Sequence, residues 1–295
     1  MTESETNSLF GRYPYLAARV ERAKSVSTVK NAVPASVRLF LPGMDDFMRA
    51  MPNHIARSSL FAPIARGRKR TLTDAVLVSR RDAVIKFWGE QLDETQADVW
   101  MQALHESSKQ PLGEPVLINR AQFLKAIGRQ TGNCEYRWLD RTMKALCFAM
   151  LVIEIKNKDG KPKLTVGSQN MALHMIDGFD FDNTAGSYAL RINPRWRALF
   201  DNREFALVDW KKRLAFGAHQ DMAKALQRLI ATSNDRVQFN SIEWLKGKLG
   251  YGGRLRDFLE AISRAMRELE RLEIIVAGRV ETSTKGNLQT VWTRL

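Results

Sequence analysis

Apolar residues recur at three- and four-residue steps along parts of the chain and alternate along others, and the change of period marks out its elements. After a polar opening with little periodicity, where a short helix is expected over 14–24, two short strands are predicted at 72–79 and 83–88. A helix over 93–109 starts at Asp93-Glu94-Thr95 and stops before Pro111. Residues 116–118 read as a strand, and Asn119 is a good N-cap for a helix over 120–129. Thr131-Gly132-Asn133 makes a turn into a longer helix over 134–150. Strands over 151–156 and 163–167 follow, around Lys158-Asp159-Gly160-Lys161-Pro162, and Asp-Gly is a strong hairpin signal.

The same order then returns. Helices are predicted over 204–215 and 218–232, then a strand over 237–239. Asn240 or Ser241 caps a helix to residue 249, with Glu243 placed to support the cap. Gly250-Tyr251-Gly252-Gly253 turns into a long helix over 254–272, and strands over 274–279 and 288–293 flank Ser283-Thr284-Lys285-Gly286-Asn287. No repeat is visible letter by letter. Helix, strand, helix, turn, long helix, hairpin is nevertheless the order of a winged helix. The expected fold class is α+β: two tandem winged-helix domains, 47–200 and 201–295, preceded by a partly disordered basic N-terminal arm over 1–46. The basic run over 62–70 reads as a linker.

A helix lying in a DNA major groove needs an apolar stripe toward its own domain and a polar stripe toward the bases. In the second long helix Leu255, Phe258, Leu259, Ile262, Met266 and Leu269 form the first stripe, with Arg256, Glu260, Ser263, Arg264, Arg267 and Arg271 opposite. Arginine suits guanine and phosphate, whereas Ser and Glu reach other base edges. Arg254, with Gly252 and Gly253, sits where backbone amides approach phosphate. Lys246 and Lys248 before the helix, and Arg279 and Lys285 on the hairpin after it, are candidates to converge there. Five basic and five acidic residues fall within 254–273, so an amphipathic helix with a solvated charged face fits the same pattern. In the first block Leu139, Met143, Leu146 and Met150 form the stripe, and Arg137, Arg141 and Lys144 lie on another face. Arg120 and Arg129 are expected within reach of phosphate. The following hairpin, with Lys156, Lys158, Lys161 and Lys163, suits backbone contact or plain solvation.

Charge sharpens this picture. The 295 residues include 46 Lys and Arg against 32 Asp and Glu, a net of +14, and 44% of them are hydrophobic, enough for a substantial core. Residues 1–91 hold 15 basic and 8 acidic residues, 92–200 hold 14 and 12, and 201–295 hold 17 and 12. The excess thus lies in the N-terminal arm and the last third, as expected for a polyanion partner such as nucleic acid. The longest apolar run, 145–153, is far short of the roughly 20 residues of a spanning helix. The N-terminus lacks a signal layout, so a cytoplasmic protein without membrane contact is expected. Cys134 and Cys147 are expected as buried or partly buried thiols.

Residues 47–61, Phe-Met-Arg-Ala-Met-Pro-Asn-His-Ile-Ala-Arg-Ser-Ser-Leu-Phe, resemble the signature of the TrfA family of plasmid replication initiators. Gly113-Glu114-Pro115 before a strand, and the long helix with Tyr136 and Leu146, extend the likeness, which runs from about Val37 to the C-terminus. The resemblance implies two winged-helix domains and an initiator that binds double-stranded origin DNA at directly repeated iterons. It further implies melting of adjacent A·T-rich DNA, with single-stranded DNA as a further partner, and recruitment of the host replicative helicase and sliding clamp. Members store as dimers and act as monomers. The family carries a clamp motif of the Gln-Leu-Ser-Leu-Phe type just before the signature. Ser36-Val37-Arg38-Leu39-Phe40 stands there, keeping Leu39 and Phe40 as the clamp-binding pair but with Ser for the leading Gln. A linker whose Leu39 and Phe40 pack on the first domain is the alternative.

Catalytic chemistry has no visible seat. His54, His105, His174 and His219 are scattered, without ligand partners at metal spacing, and Gly247-Lys248-Leu249-Gly250 is a helix end rather than a phosphate loop. Asp177, Asp180 and Asp182 read as an exposed acidic loop with Phe179 and Phe181 packing inward, in preference to a nuclease site. No enzymatic activity, cofactor or metal is expected. A winged-helix transcriptional repressor acting on a plasmid promoter is the alternative function.

Overall fold

Two apolar cores organise the chain. The first gathers buried residues from Leu41 to Trp210, the second from Phe216 to Trp292. The computed structural model describes residues 39–42, 45–64, 69–167, 172–182 and 186–295. The expected arm with its 14–24 helix, residues 36–38 of the clamp segment and residues 65–68 of the linker lie outside the described residues. Leu39–Leu295 form one compact unit, and the change from the first core to the second falls between Trp210 and Phe216. The architecture is mixed α and β.

At the centre of the first core stands the helix Glu94–Ser107. Asp93 caps it, accepting from the backbone N–H of Thr95 and Gln96, while the Gln96 side chain accepts from the Asp93 N–H. Twelve of its fourteen residues are buried, Glu94 and Asp98 among them, so it is a core helix rather than an amphipathic one. The long helix Asn133–Phe148 packs on it, and a five-stranded sheet, built on Thr71–Leu77, Ala83–Glu90, Met150–Lys156 and Pro162–Val166, packs on that long helix.

Each core also carries the same smaller assembly. In the first, Asn119 caps Arg120–Ala126, and strand Val116–Asn119 pairs with Ser187–Arg191, which pairs with Gly178–Asp182. In the second, Ser241 caps Ile242–Lys248, and strand Val237–Ser241 pairs with Leu288–Arg294, which pairs with Ile275–Thr282. Both sheets are antiparallel, with the same strand order.

Three sequence expectations change. The hairpin around Asp159-Gly160 forms, but its first strand joins Ala83–Glu90 in the five-stranded sheet. The hairpin that pairs beside Val116–Asn119 is Gly178–Asp182 with Ser187–Arg191, where a loop was read; Phe179 and Phe181 do pack inward, on Tyr188 at 5.3 and 5.0 Å. The helix expected over 204–215 is instead strand Phe205–Asp209 followed by the short helix Trp210–Leu214. Its strand half pairs with Met48–Pro52, a partner some 150 residues away that no local period reveals. No helix among the described residues is long and apolar enough to cross a membrane.

Candidate nucleic-acid interface

The second long helix, Leu255–Arg271, buries Phe258, Ile262, Ala265, Met266 and Leu269. Leu255 is exposed and Leu259 half-buried, so the apolar stripe is narrower than its sequence suggested. Arg254, Arg256, Arg264, Arg267 and Arg271 are exposed and Ser263 is half-buried. Their surroundings differ. Arg271 pairs with Glu268 at 2.7 Å and donates to the Ala215 carbonyl at 2.9 Å. Arg256 lies 3.8 Å from Asp257. Arg254, Arg264 and Arg267 have no carboxylate partner among the described residues.

The hairpin after this helix is locked to it. The Gly278 N–H donates to Glu270 Oε1 at 2.8 Å, at a bulge where Ala277 has φ +56°. Arg279 emerges from the bulge paired with Glu281 at 2.7 Å, and Lys285 is exposed at the tip. Such exposed pairs are worth at most about 1 kcal/mol, so a phosphate can replace the carboxylate at little cost.

Lys248 departs from its sequence role. It is buried, its Nζ donates to the Ser79 carbonyl, and it lies over the Trp244 ring at 5.6 Å. Burial first, then the Arg57 and Arg80 charges, pushes it down to about 8. Lys246, two residues earlier, stays half-exposed beside the Gly250-Tyr251-Gly252 turn.

In the first half, Arg137, Arg141 and Lys144 line the exposed face of Asn133–Phe148, and Lys144 pairs with Asp140 at 2.8 Å. Arg137 and Arg141 border a cavity of about 660 Å³, closed on its other side by Phe181 and Tyr188. Arg120 lies between the Tyr136 and Phe181 rings, at 4.1 and 4.9 Å. Arg129 is stacked on Trp138 at 3.7 Å and paired with Glu135 at 2.6 Å. Lys161 and Lys163 are exposed at the strand Pro162–Val166 of the five-stranded sheet. Burial first, then the Arg80 charge, holds His54 below its usual value, with Lys163 adding least. Cys134 is exposed, contrary to its sequence reading, whereas burial and Asp177 push Cys147 up to about 11.

A larger cleft of about 1120 Å³ runs between the two long helices, with Trp138 and Arg141 on one wall and Ala261 and Arg264 on the other. The structure thus brings Arg141 and Arg264 to one opening. Among the described residues no group of His, Cys, Asp or Glu is placed to hold a metal ion.

No protein-family model matches the chain. A 123-residue stretch, 38% of the chain, is 30% identical to the plasmid replication initiator protein TrfA of Escherichia coli. The chain is similar to TrfA. The match spans 32% of that relative, about a third of its length. Crystal structures of domains 2 and 3 of RctB are similar at TM-scores of 0.45 and 0.43, with 12% and 10% identity. They cover 80% and 82% of this chain and 94% and 97% of those chains.

The residues that first carried the TrfA likeness do not lie on the exposed helices. Residues 47–61 belong to the first core: Met48–Pro52 pairs with Phe205–Asp209, Ala50, Met51, Ile55, Ala56, Leu60 and Phe61 are buried in it, and the carbonyls of Ala56 and Phe61 accept from Arg228 of the second. Arg49 is buried too, donating to Gln102 at 2.8 Å and lying 4.9 Å from the Trp210 ring. Burial lowers it to about 10 despite Glu106 and Asp46. His54 is buried with neither ring nitrogen hydrogen-bonded among the described residues. Leu39 and Phe40 are 39% and 46% exposed, and the Leu39 carbonyl accepts from the Leu112 N–H at 2.7 Å.

The sequence points Arg120 toward phosphate but hides its place between Tyr136 and Phe181, because the stretch that carries Phe181 reads as a loop. The alternation Phe179-Asp180-Phe181-Asp182, a period of two, was the available signal.

Proposed function

We propose that the chain is an iteron-binding plasmid replication initiator built from two winged-helix units. The observation that carries this reading is the repeated assembly: in each half a capped helix, a long helix and a three-stranded sheet of the same order, with arginines on the long helix's exposed face. The similarity to TrfA supports the same reading. In it Arg254, Arg264 and Arg267, with Lys246 and Lys285, form the second unit's DNA face, and Arg137 and Arg141 form the first's. Arg256, Arg271, Arg279 and Lys144 exchange carboxylate for phosphate on binding. Ser263 is a candidate base contact, and Lys161 and Lys163 give outlying backbone contacts.

Melting of A·T-rich DNA, recruitment of the helicase and a monomer–dimer equilibrium belong to the proposal as well. Supplied in trans, the protein should support replication of a plasmid carrying only the origin of its own replicon. Failure with every iteron-bearing origin from that replicon overturns the reading.

Leu39 and Phe40 are exposed enough to enter an apolar pocket of the sliding clamp. Phe40→Ala should reduce clamp recovered in a pull-down and leave iteron affinity unchanged. Equal recovery removes the clamp from the partners.

A further inference from the structure

Five charged side chains meet at the seam between the two cores. The Arg213 guanidinium is wholly buried, with Nε on Asp98 Oδ1 at 2.7 Å and Nη2 on Glu94 Oε2 at 2.8 Å. The other oxygen of Glu94 accepts from Arg228 Nη2 at 2.7 Å, and the other oxygen of Asp98 from Lys224 Nζ at 2.6 Å. Arg228 also donates to the carbonyls of Ala56 and Phe61, at 2.7 and 2.9 Å. All four carboxylate oxygens of Glu94 and Asp98, on the first core's central helix, are therefore engaged by the short helix Trp210–Leu214 and by Asp221–Ile230 of the second core. Parting these groups strands buried charge, a far larger penalty than losing an exposed pair.

Both ends of the second long helix are tied to the same seam. Before its N-terminus, Lys248 bonds Ser79, and Gly250 packs so closely on Ser59 and Ala62 that a Cβ there would lie 3.3 Å from each. Beyond its C-terminus, the Glu273 carbonyl accepts from Lys212 Nζ at 2.7 Å. Attachment through three separate elements leaves the second core no axis on which to pivot.

We propose that this seam fixes the separation and phase of the two long helices. The chain then accepts a DNA site only at one spacing of its two recognised segments, and Glu94, Asp98, Arg213, Lys224 and Arg228 are the positioning residues that set it. The inference rests on the DNA-binding reading above. Successive major-groove segments on one face of a duplex lie one turn apart, about 10–10.5 base pairs. A flexibly joined pair of readers loses a site with five base pairs inserted between the segments but regains it with ten, which restores the face. A rigid pair loses both.

The test uses the full chain and duplexes of its own iteron, with five or ten base pairs inserted between the two segments it protects. Both insertions should weaken binding to within about tenfold of random duplex. Retention of affinity with ten base pairs, or protection of one segment only, overturns the inference and leaves the initiator reading intact. Absence of iteron binding overturns both. Glu94→Gln should narrow the discrimination between the native iteron and one with a single inserted base pair, a ratio that loss of stability alone does not move. If circular dichroism shows that variant unfolded, Asp98→Asn takes its place. Unchanged discrimination in a folded variant overturns the positioning role, and the wild-type insertion series decides the rigidity by itself.

Discussion

Arg264 and Arg267 have no carboxylate beside them among the described residues, whereas Arg271, one turn on from Arg267, is held by Glu268 and the Ala215 carbonyl. Replacing either of the first two by alanine should weaken specific iteron binding by about 1–3 kcal/mol if the side chain reads a base. Arg271→Ala should cost less. Gel-shift titrations decide it, and wild-type affinity in both Arg264→Ala and Arg267→Ala places the reading face elsewhere. Lys248 shows how legible a single residue can be. It stands three residues after Leu245 and six after Ile242, on the stripe that both bury, so its inward position was implicit in the helical period. Its charge alone pointed outward. Because its folded value is lowered to about 8, the unfolded chain binds more protons between there and the usual lysine range. Stability from this group therefore rises as pH climbs from about 8 to about 10.5. Lys248→Met should melt higher than the parent at pH 7, and the gap should close by about pH 10.5. A gap independent of pH would show that the ammonium is not the source of the penalty.

Helices and caps were the most legible elements, because their signals are local. Asn119 and Ser241 cap where their sequences placed them, and Asp93 completes a box with Gln96. Strands were legible as strands but not as partners. The Asp159-Gly160 turn fixes a hairpin, yet nothing near it says that Met150–Lys156 will choose Ala83–Glu90 over Val116–Asn119. Phe205–Asp209 reads as helix in the sequence because the apolar residues there fit either period over so short a run, and Met48–Pro52 decides it from far away. The bulge behind the second long helix is equally non-local. A Cβ on Gly278 would lie 3.1 Å from Ile275 Cδ1 and 3.2 Å from Met266 Cβ. Gly278→Ala should overpack this contact and cost about 1–3 kcal/mol in a urea titration. No loss would mean that the hairpin shifts freely against the helix.

On the scale of the whole molecule, the +14 net charge pointed toward a polyanion, but charge of both signs also builds the interior. Glu94, Asp98, Arg213 and Arg228 look in sequence like any solvated helix face, and only the meeting of three helices turns them into the seam. That junction ties the two cores together through buried charge. Exchanging Glu94 for Gln keeps the volume and one acceptor but removes the charge that neutralises two buried guanidiniums. The loss should be about 3–5 kcal/mol, or roughly 6–20 °C in melting temperature for a body of this size. The parent should melt in a single transition, since neither core can open without stripping charge from the other. Calorimetry separates the alternatives: two resolved transitions in the parent would mean that the cores unfold independently. An unshifted midpoint in Glu94→Gln would mean that water already reaches the seam.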